Sequence, residues 1–405
     1  MSARFRRSLR GQETHLMANK GKIAVLTGGG DVPGLNPVIK SVVYGASTLG
    51  REVIGIRRGW EGATYIKGPE DSDYVMPLNR QNTLSIGREG GTMLHTSRTN
   101  PRKVTEAKLP KTLTPEQIKK LPFDGKVYNL TSVVIENLEK LGVGTLVAIG
   151  GDDTLSFADA LSKAGFPTIA VPKTMDNDVR GSEYCMGFST AITRAKDAIN
   201  RARTTIASHE RVGVFRIFGR DAGFTALYTA YITSVRCLIP EHPYDMDRVC
   251  QLVLEDKKNN PQGYAMIVAS EGAIWKDGQV EEYGEADAFG HRKKIDVGQL
   301  LGGEIKKRTG ADTIMSDLTY DLRGGEPDTI DQIVGLTFGN IAIKLIGDGL
   351  SGRMVALQGG KYTHVPIPEA ALGPRKVDVA RDYDSERYRP NFASKLDSSI
   401  FFTGF

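Results

Sequence analysis

Five times along this chain a short apolar run stops abruptly at a polar loop that carries acids and, in four of the five, glycine. The runs are Lys22–Thr27 before GGGD, Thr145–Ile149 before GGDD, Pro167–Val171 before PKTMDND, Val212–Phe218 before GRDAG and Tyr264–Ala269 before SEG. Apolar runs without alternation read as strands buried on both faces, and Asn36–Leu49, Leu155–Lys163 and the residues after GRDAG have helix-compatible composition. Strand, loop and helix in repetition predict an α/β fold of two Rossmann-like lobes, with mostly parallel sheets flanked by helices. In such folds ligands gather at the carboxyl ends of the strands. The loops are therefore where chemistry is expected. After Pro327 a helical stretch runs to about Gly347, and Arg353–Gln358 reads as one more strand.

Length and charge narrow the classes of partner. At about 150 residues per domain, 405 residues make two or three domains, enough for a cleft between lobes. The formal charge is +5, but the first 22 residues alone carry that excess (Arg4, Arg6, Arg7, Arg10, Lys20 and Lys22 against Glu13), so the body is neutral. A nucleic-acid-binding face is not encoded, and phosphate partners must be read locally. The basic start reads as a disordered leader over residues 1–21. No apolar run approaches the roughly 18 residues of a membrane span, and no secretory apolar region opens the chain, so a cytoplasmic protein is expected. Cys185, Cys237 and Cys250 lie far apart with no CxxC, and read as reduced and buried. Ser97–Val127 is polar, basic and proline-punctuated, like a surface insertion folded as a solvated hairpin or lid. The closing aromatics Phe401, Phe402 and Phe405 read as docking on the same fold.

Three loops carry the residue types that phosphate chemistry needs. In Thr27–Asn36 (TGGGDVPGLN), glycines let backbone N–H groups approach an anion near a helix start, though the same pattern serves simple turn geometry. It is neither GxGxxG nor a Walker sequence. In Gly150–Thr154 (GGDDT), one of the paired carboxylates is expected to cap the following helix and the other to face a cation; Asp152 is the candidate Mg²⁺ ligand. In Pro172–Asp178 (PKTMDND), an extended backbone would point Asp176 and Asp178 the same way. A carboxylate there can take a proton from an attacking hydroxyl while Lys173 offsets charge on a leaving phosphate; an Asx-rich turn with a surface lysine is the plainer alternative. Arg98, Arg211, Arg220 and Arg323 stand beside glycine motifs. Each alone reads first as a surface ion pair, but four suit a ligand with two phosphoryl-bearing parts. The six histidines show no HxxxH or HExxH spacing and no GxSxG is present, which disfavours zinc hydrolysis and a serine triad.

Taken in order, GGGDVPGLN, GGTMLHTSR, GGDDT, PKTMDND, SHERVGVFRIFGRDAG, SEG and YDLRGGEP resemble the phosphofructokinase family, from about Lys22 to Pro327. Within it the chain looks like the pyrophosphate-dependent enzymes. The resemblance implies reversible, Mg²⁺-dependent phosphoryl transfer from inorganic diphosphate to the C1 hydroxyl of fructose 6-phosphate, with the active site in the cleft between the lobes. It implies a donor lobe over 22–187 plus about 323–348, and a sugar-phosphate lobe over 188–322 plus about 349–405.

The resemblance also implies roles for single positions. Gly29 and Arg98 match donor-phosphate contacts, Asp152 the Mg²⁺-site aspartate with Asp178 as a second candidate, and Asp176 the base. Thr174, Met175, Asp176, Phe218, Gly219, Arg220, Glu271, Tyr320 and Arg323 match substrate-binding positions, with Phe218 where the family carries methionine. Arg211 matches an arginine that reaches the sugar phosphate across a subunit interface, which implies a homodimer or homotetramer. A further family arginine, expected about nine residues before Arg323, is replaced by Ile314. Asp153 and Lys173 carry the choice of donor. ATP-dependent relatives usually have glycine at both positions; a carboxylate at 153 fills the space of the nucleotide's α-phosphate and repels it. The alternatives are an ATP-dependent 6-phosphofructokinase and a non-catalytic sugar-phosphate or diphosphate sensor. A dinucleotide-dependent oxidoreductase fails for want of GxGxxG.

Overall fold

The computed structural model describes residues 21–276, 282–283, 293–294 and 296–391. The basic leader and the closing aromatics lie outside the described residues. In chain order the elements are β1 (Lys22–Thr27), α1 (Leu35–Ala46), β2 (Val53–Ile56), β3 (Val75–Leu78), β4 (Val143–Gly150), α2 (Asp152–Lys163), β5 (Thr168–Pro172), α3 (Phe188–Ser208), β6 (Val212–Ile217) and α4 (Phe224–Thr233). There follow β7 (Arg236–Leu238), α5 (Met246–Asn259), β8 (Ala265–Ser270), the two-residue strands β9 (Glu282–Tyr283) and β10 (Lys293–Lys294), α6 (Val297–Thr309), β11 (Thr313–Leu318) and α7 (Thr329–Gly347). The last strands are β12 (Arg353–Gln358), β13 (Lys361–Pro366), β14 (Tyr383–Asp384) and β15 (Arg389–Pro390).

Two compact units result. Among the described residues the first comprises 21–173 and 325–373, the second those of 174–324 and 374–391. The first is built on a seven-stranded sheet of order β13-β12-β5-β4-β1-β2-β3, parallel from β12 to β2 with antiparallel strands at both edges. The central strands are apolar throughout, as burial on both faces demands: Ile23, Ala24, Val25, Leu26, Leu146, Val147, Ala148 and Ile149 are all inaccessible to solvent. The second unit has a four-stranded parallel sheet, β11-β6-β8-β7.

The unit boundaries differ from those read in the sequence. Residues 174–187 pack with the second unit, beginning with the Thr174 N–H donating to the Met186 carbonyl. Residues 349–373 belong to the first, because β12 pairs in parallel with β5. The helix α7 also corrects the statement that no run approaches membrane-spanning length: it has 19 residues, and mean hydropathy reaches 1.3 in its best window. Half of that window is buried within the protein. Its small faces meet α1 closely, since a Cβ on Gly339 would come within 2.5 Å of Ser41 and one on Gly45 within 3.0 Å of Ile343. It is a core helix of the first unit. The three cysteines are free and buried, as expected. The segment 97–127 forms no two-stranded hairpin: it holds the short helix Pro115–Lys120 and the single helical turn Glu106–Lys108, and its Val104 and Leu121 pack with Leu130 and Val133, which follow it, in a small apolar cluster.

Candidate active site

In the first unit, β5, β4 and β1 lie side by side and parallel, so their carboxyl ends deliver Lys173, the Gly151 turn and the Gly28–Gly34 loop to one edge. Gly29 has φ +78, a left-handed conformation that costs glycine nothing. Its N–H donates to the Ser97 carbonyl at 3.0 Å and its own carbonyl accepts from the Thr96 hydroxyl at 2.6 Å. Arg98, the next residue, is exposed beside this loop. Lys173 is almost fully buried; its ammonium donates to the Gly30 carbonyl and lies 3.6 Å from where a Cβ on Gly29 would stand. The surface-lysine alternative is thereby excluded.

Asp152 and Asp153 open helix α2, three residues earlier than the sequence pattern indicated. The expectation that one of them caps the helix is wrong. The N-cap is Gly151, and both aspartates occupy the first turn, where unpaired amides favour negative charge. The indole N–H of Trp60 donates to the Thr154 carbonyl at 3.2 Å, holding that turn from beneath. Among the described residues no three His, Cys, Asp or Glu side chains gather into a protein-only metal cage. Two carboxylates at a helix start fit Mg²⁺, which is ordinarily held by one or two carboxylates together with phosphate oxygens and water.

In the second unit, the loop after β5 brings Asp176 and Asp178 together by a different route from the one expected. The backbone between them is not extended: Asn177 has φ +55, the left-handed region that asparagine tolerates better than most residues. Thr174 orients both carboxylates, its hydroxyl accepting from the Asp176 N–H at 3.1 Å and hydrogen-bonding the Asp178 side chain. The Met175 side chain is buried, and its carbonyl accepts from the Thr225 hydroxyl at 2.8 Å. Asp176 Oδ1 is buried and accepts no hydrogen bond from the described residues. Burial, then the neighbouring Asp178 and Glu271 carboxylates, hold the Asp176 carboxyl well above the usual carboxylate range; Arg323 and Arg220 oppose the shift. Burial also raises Asp178.

The ends of β6, β8 and β11 supply the surroundings of this pair. Gly219 has φ +134, and a Cβ there would strike Ser270 Oγ at 2.4 Å; the Ser270 hydroxyl donates to the Gly219 carbonyl at 2.5 Å. The FGR and SEG loops are thus laced together. Glu271 lies 3.9 Å from Arg220. The Arg323 guanidinium stands 5.8 Å from the Phe218 ring and 5.6 Å from the Tyr320 ring, and the two rings meet edge to face at 5.7 Å.

Two positions stand away from this group. Arg211 precedes β6, whereas Gly219 and Arg220 follow it, so a strand of six residues, about 20 Å, separates them. Ile314 pairs with Gly213 at that same distant end of the sheet. Two residues escaped the sequence reading. Arg216, in the apolar run of β6, places its guanidinium 3.4 Å from Glu271, 3.9 Å from Asp296 and 3.6 Å from Asp317. A lone cation inside a strand was its only signal. Arg375 bonds the loop between Asp176 and Asp178 from some 200 positions further along, and no local pattern announces it.

Residues 22–346 match the family described as Phosphofructokinase. The chain is 38% identical over 364 residues to the pyrophosphate–fructose 6-phosphate 1-phosphotransferase of Streptomyces coelicolor, covering 89% of this chain and 97% of that protein. It is 33% identical to an ATP-dependent 6-phosphofructokinase of Corynebacterium efficiens, covering 89% of this chain and 96% of that one. Among solved structures, the pyrophosphate-dependent phosphofructokinase of Marinobacter aquaeolei shares the fold with TM-score 0.72 at 18% identity, over 91% of this chain and 88% of that one.

Proposed function

The chain belongs to the phosphofructokinase family, and on that premise we propose that it transfers a phosphoryl group reversibly between inorganic diphosphate and the C1 hydroxyl of fructose 6-phosphate. The observation that carries the reading is Asp176, whose buried Oδ1 accepts nothing from the described residues and whose carboxyl is raised by its surroundings. A hydroxyl donating to that oxygen satisfies it, and a base whose affinity for protons has been raised takes the proton more completely as the oxygen attacks phosphorus. Thr174 fixes the carboxylate by holding the Asp176 N–H.

The first unit's loops bind the donor. The loop around Gly29, whose own N–H is held by the Ser97 carbonyl, and the Arg98 side chain face the phosphates, and Lys173, fixed by the Gly30 carbonyl, presents its charge to the bond that breaks. Asp152, at the start of α2, would hold Mg²⁺, and the ion when bound would neutralise charge on the phosphates. Asp153, beside it in the first turn of α2, excludes the α-phosphate of a nucleotide. The second unit's loops bind the acceptor. Arg220 and Arg323 take the sugar phosphate, while Glu271, set between Arg216 and Arg220, accepts sugar hydroxyls. Phe218 and Tyr320 wall that site. Arg211, at the far end of β6, serves a partner subunit in a homodimer or homotetramer, and the enzyme works in the cytoplasm with its cysteines reduced.

Initial rates of fructose 1,6-bisphosphate formation, with Mg²⁺ and either diphosphate or ATP as sole donor, test the reading. Turnover with diphosphate alone is expected. Turnover with ATP alone transfers the chain to the ATP-dependent branch, where the Corynebacterium relative is named. Silence with both donors, in folded protein, favours the sensor.

A further inference from the structure

The turn between Asp176 and Asp178 has to be held against its own backbone. A non-glycine residue with positive φ persists only where its surroundings over-determine it, and Asn177 is gripped on both sides. Its amide donates to the Glu183 carbonyl at 3.1 Å, and its Oδ1 accepts from the Cys185 N–H at 2.7 Å. The Asn177 carbonyl accepts from Arg375 Nη2 at 2.7 Å and from Nε at 3.2 Å. The same Nη2 donates to the Glu183 carbonyl at 3.1 Å, and the Arg375 N–H donates to the Asp178 carbonyl at 2.6 Å. One residue thus satisfies three carbonyls of a single loop.

We infer that Arg375, which lies beyond the residues matching the family, is a positioning residue for phosphoryl transfer: it sets the turn that presents Asp176 and Asp178 to the acceptor. The guanidinium also stacks 4.3 Å from the Phe224 ring, at the first residue of α4, so it braces the catalytic loop against a helix that follows the GRDAG loop. Two residues on, the Val377 N–H donates to Glu241 Oε1 at 2.9 Å, and the Glu241 carboxylate in turn accepts from the Gly223 N–H at 3.0 Å. The segment around 375–377 therefore fastens the loop carrying Asp176 and the loop carrying Arg220 from outside both. Lysine replaces this arginine poorly, because an ammonium lacks both the second donor that Nε gives the Asn177 carbonyl and the flat face that lies on Phe224.

The inference rests on the assignment of Asp176 as base, and its test separates the two. Arg375→Met and Arg375→Lys are compared with Asp176→Asn and the parent chain by steady-state kinetics in diphosphate, fructose 6-phosphate and Mg²⁺. Displacing a reacting group by about 1 Å costs on the order of 10²-fold. Both Arg375 variants are expected to lose kcat on that scale with KM for fructose 6-phosphate little changed, since Arg220, Glu271 and Arg323 are held by other contacts. Guanidinium ion added to Arg375→Met is expected to restore part of kcat. Parent-like kcat in a folded Arg375 variant overturns the inference, as does full recovery in Arg375→Lys, which would reduce the role to charge alone. Should Arg375→Met fail to fold, the kcat of Arg375→Lys decides in the same way. Full activity in Asp176→Asn removes the assignment on which the inference stands; an inactive Asp176→Asn beside an active Arg375 variant removes the inference only.

Discussion

The Thr154 hydroxyl stands 2.5 Å from the point where a β-carbon on Gly28 would sit, and Thr154 Cγ2 is 2.8 Å away. The Gly28–Gly34 loop and the first turn of α2 are therefore fitted to each other through one threonine. Gly28→Ala is expected to destabilise the chain by about 1–3 kcal/mol through overpacking. Thr154→Ala in the same chain leaves only a Cβ at 3.3 Å, so the double variant should recover much of that loss. Thermal unfolding of the four chains in a double-mutant cycle measures the coupling; additive losses would count against the fit.

Asp176→Asn keeps the shape of the proposed base and removes its capacity to take a proton. A loss of about 10²–10⁴-fold in kcat is expected, with modest change in either KM. Turnover close to the parent would show that another group takes the proton.

The same carboxyl weakens the fold when ionised. Its folded pKa is raised, so its contribution to stability is present below the ordinary carboxylate pKa and is lost as pH rises through the raised value. Asp176→Asn is exempt from that loss. In chelator-containing buffer the variant should melt above the parent near neutral pH, and the difference should shrink as pH falls below about 4. A difference that does not vary with pH would contradict the burial-driven shift.

Choice of donor is assigned to Asp153. Asp153→Gly removes a carboxylate from the first turn of α2 while leaving Asp152 in place. Its kcat/KM for ATP should rise and that for diphosphate fall, measured side by side with saturating fructose 6-phosphate. Unchanged values for both donors would place selectivity elsewhere.

The parallel sheets were legible because burial on both faces leaves strands such as Ile23–Leu26 and Leu146–Ile149 uniformly apolar, and because each ends at glycine. The turn before Asp152 and the loop bearing Arg220 followed from the same punctuation, and the acidic loop bearing Asp176 from its place directly after an apolar run. What stayed hidden depends on distance or on single torsions. The left-handed turn at Asn177 has no composition of its own beyond an asparagine between two aspartates. Nothing near Arg375 connects it with Asn177, because pairing across such a span is a property of packing. The start of α2 was misplaced since two aspartates before Thr154 read equally as loop or first turn.

The strand β12 has a consequence for how the polypeptide emerges during translation. It covers the flank of β5 in the first unit's sheet, yet the whole span from Thr174 to Gly324 of the second unit is made in between. At about 5–20 residues per second, the stretch from Pro172 to Arg353 takes on the order of ten to forty seconds to synthesise. Throughout that interval β5 lacks its outer neighbour and offers open backbone donors and acceptors to any passing strand. The second unit's parallel sheet, complete once β11 has appeared, is in a position to fold first. The nascent chain thus closes its earliest sheet late, leaving the flank of β5 unpaired until β12 has been made.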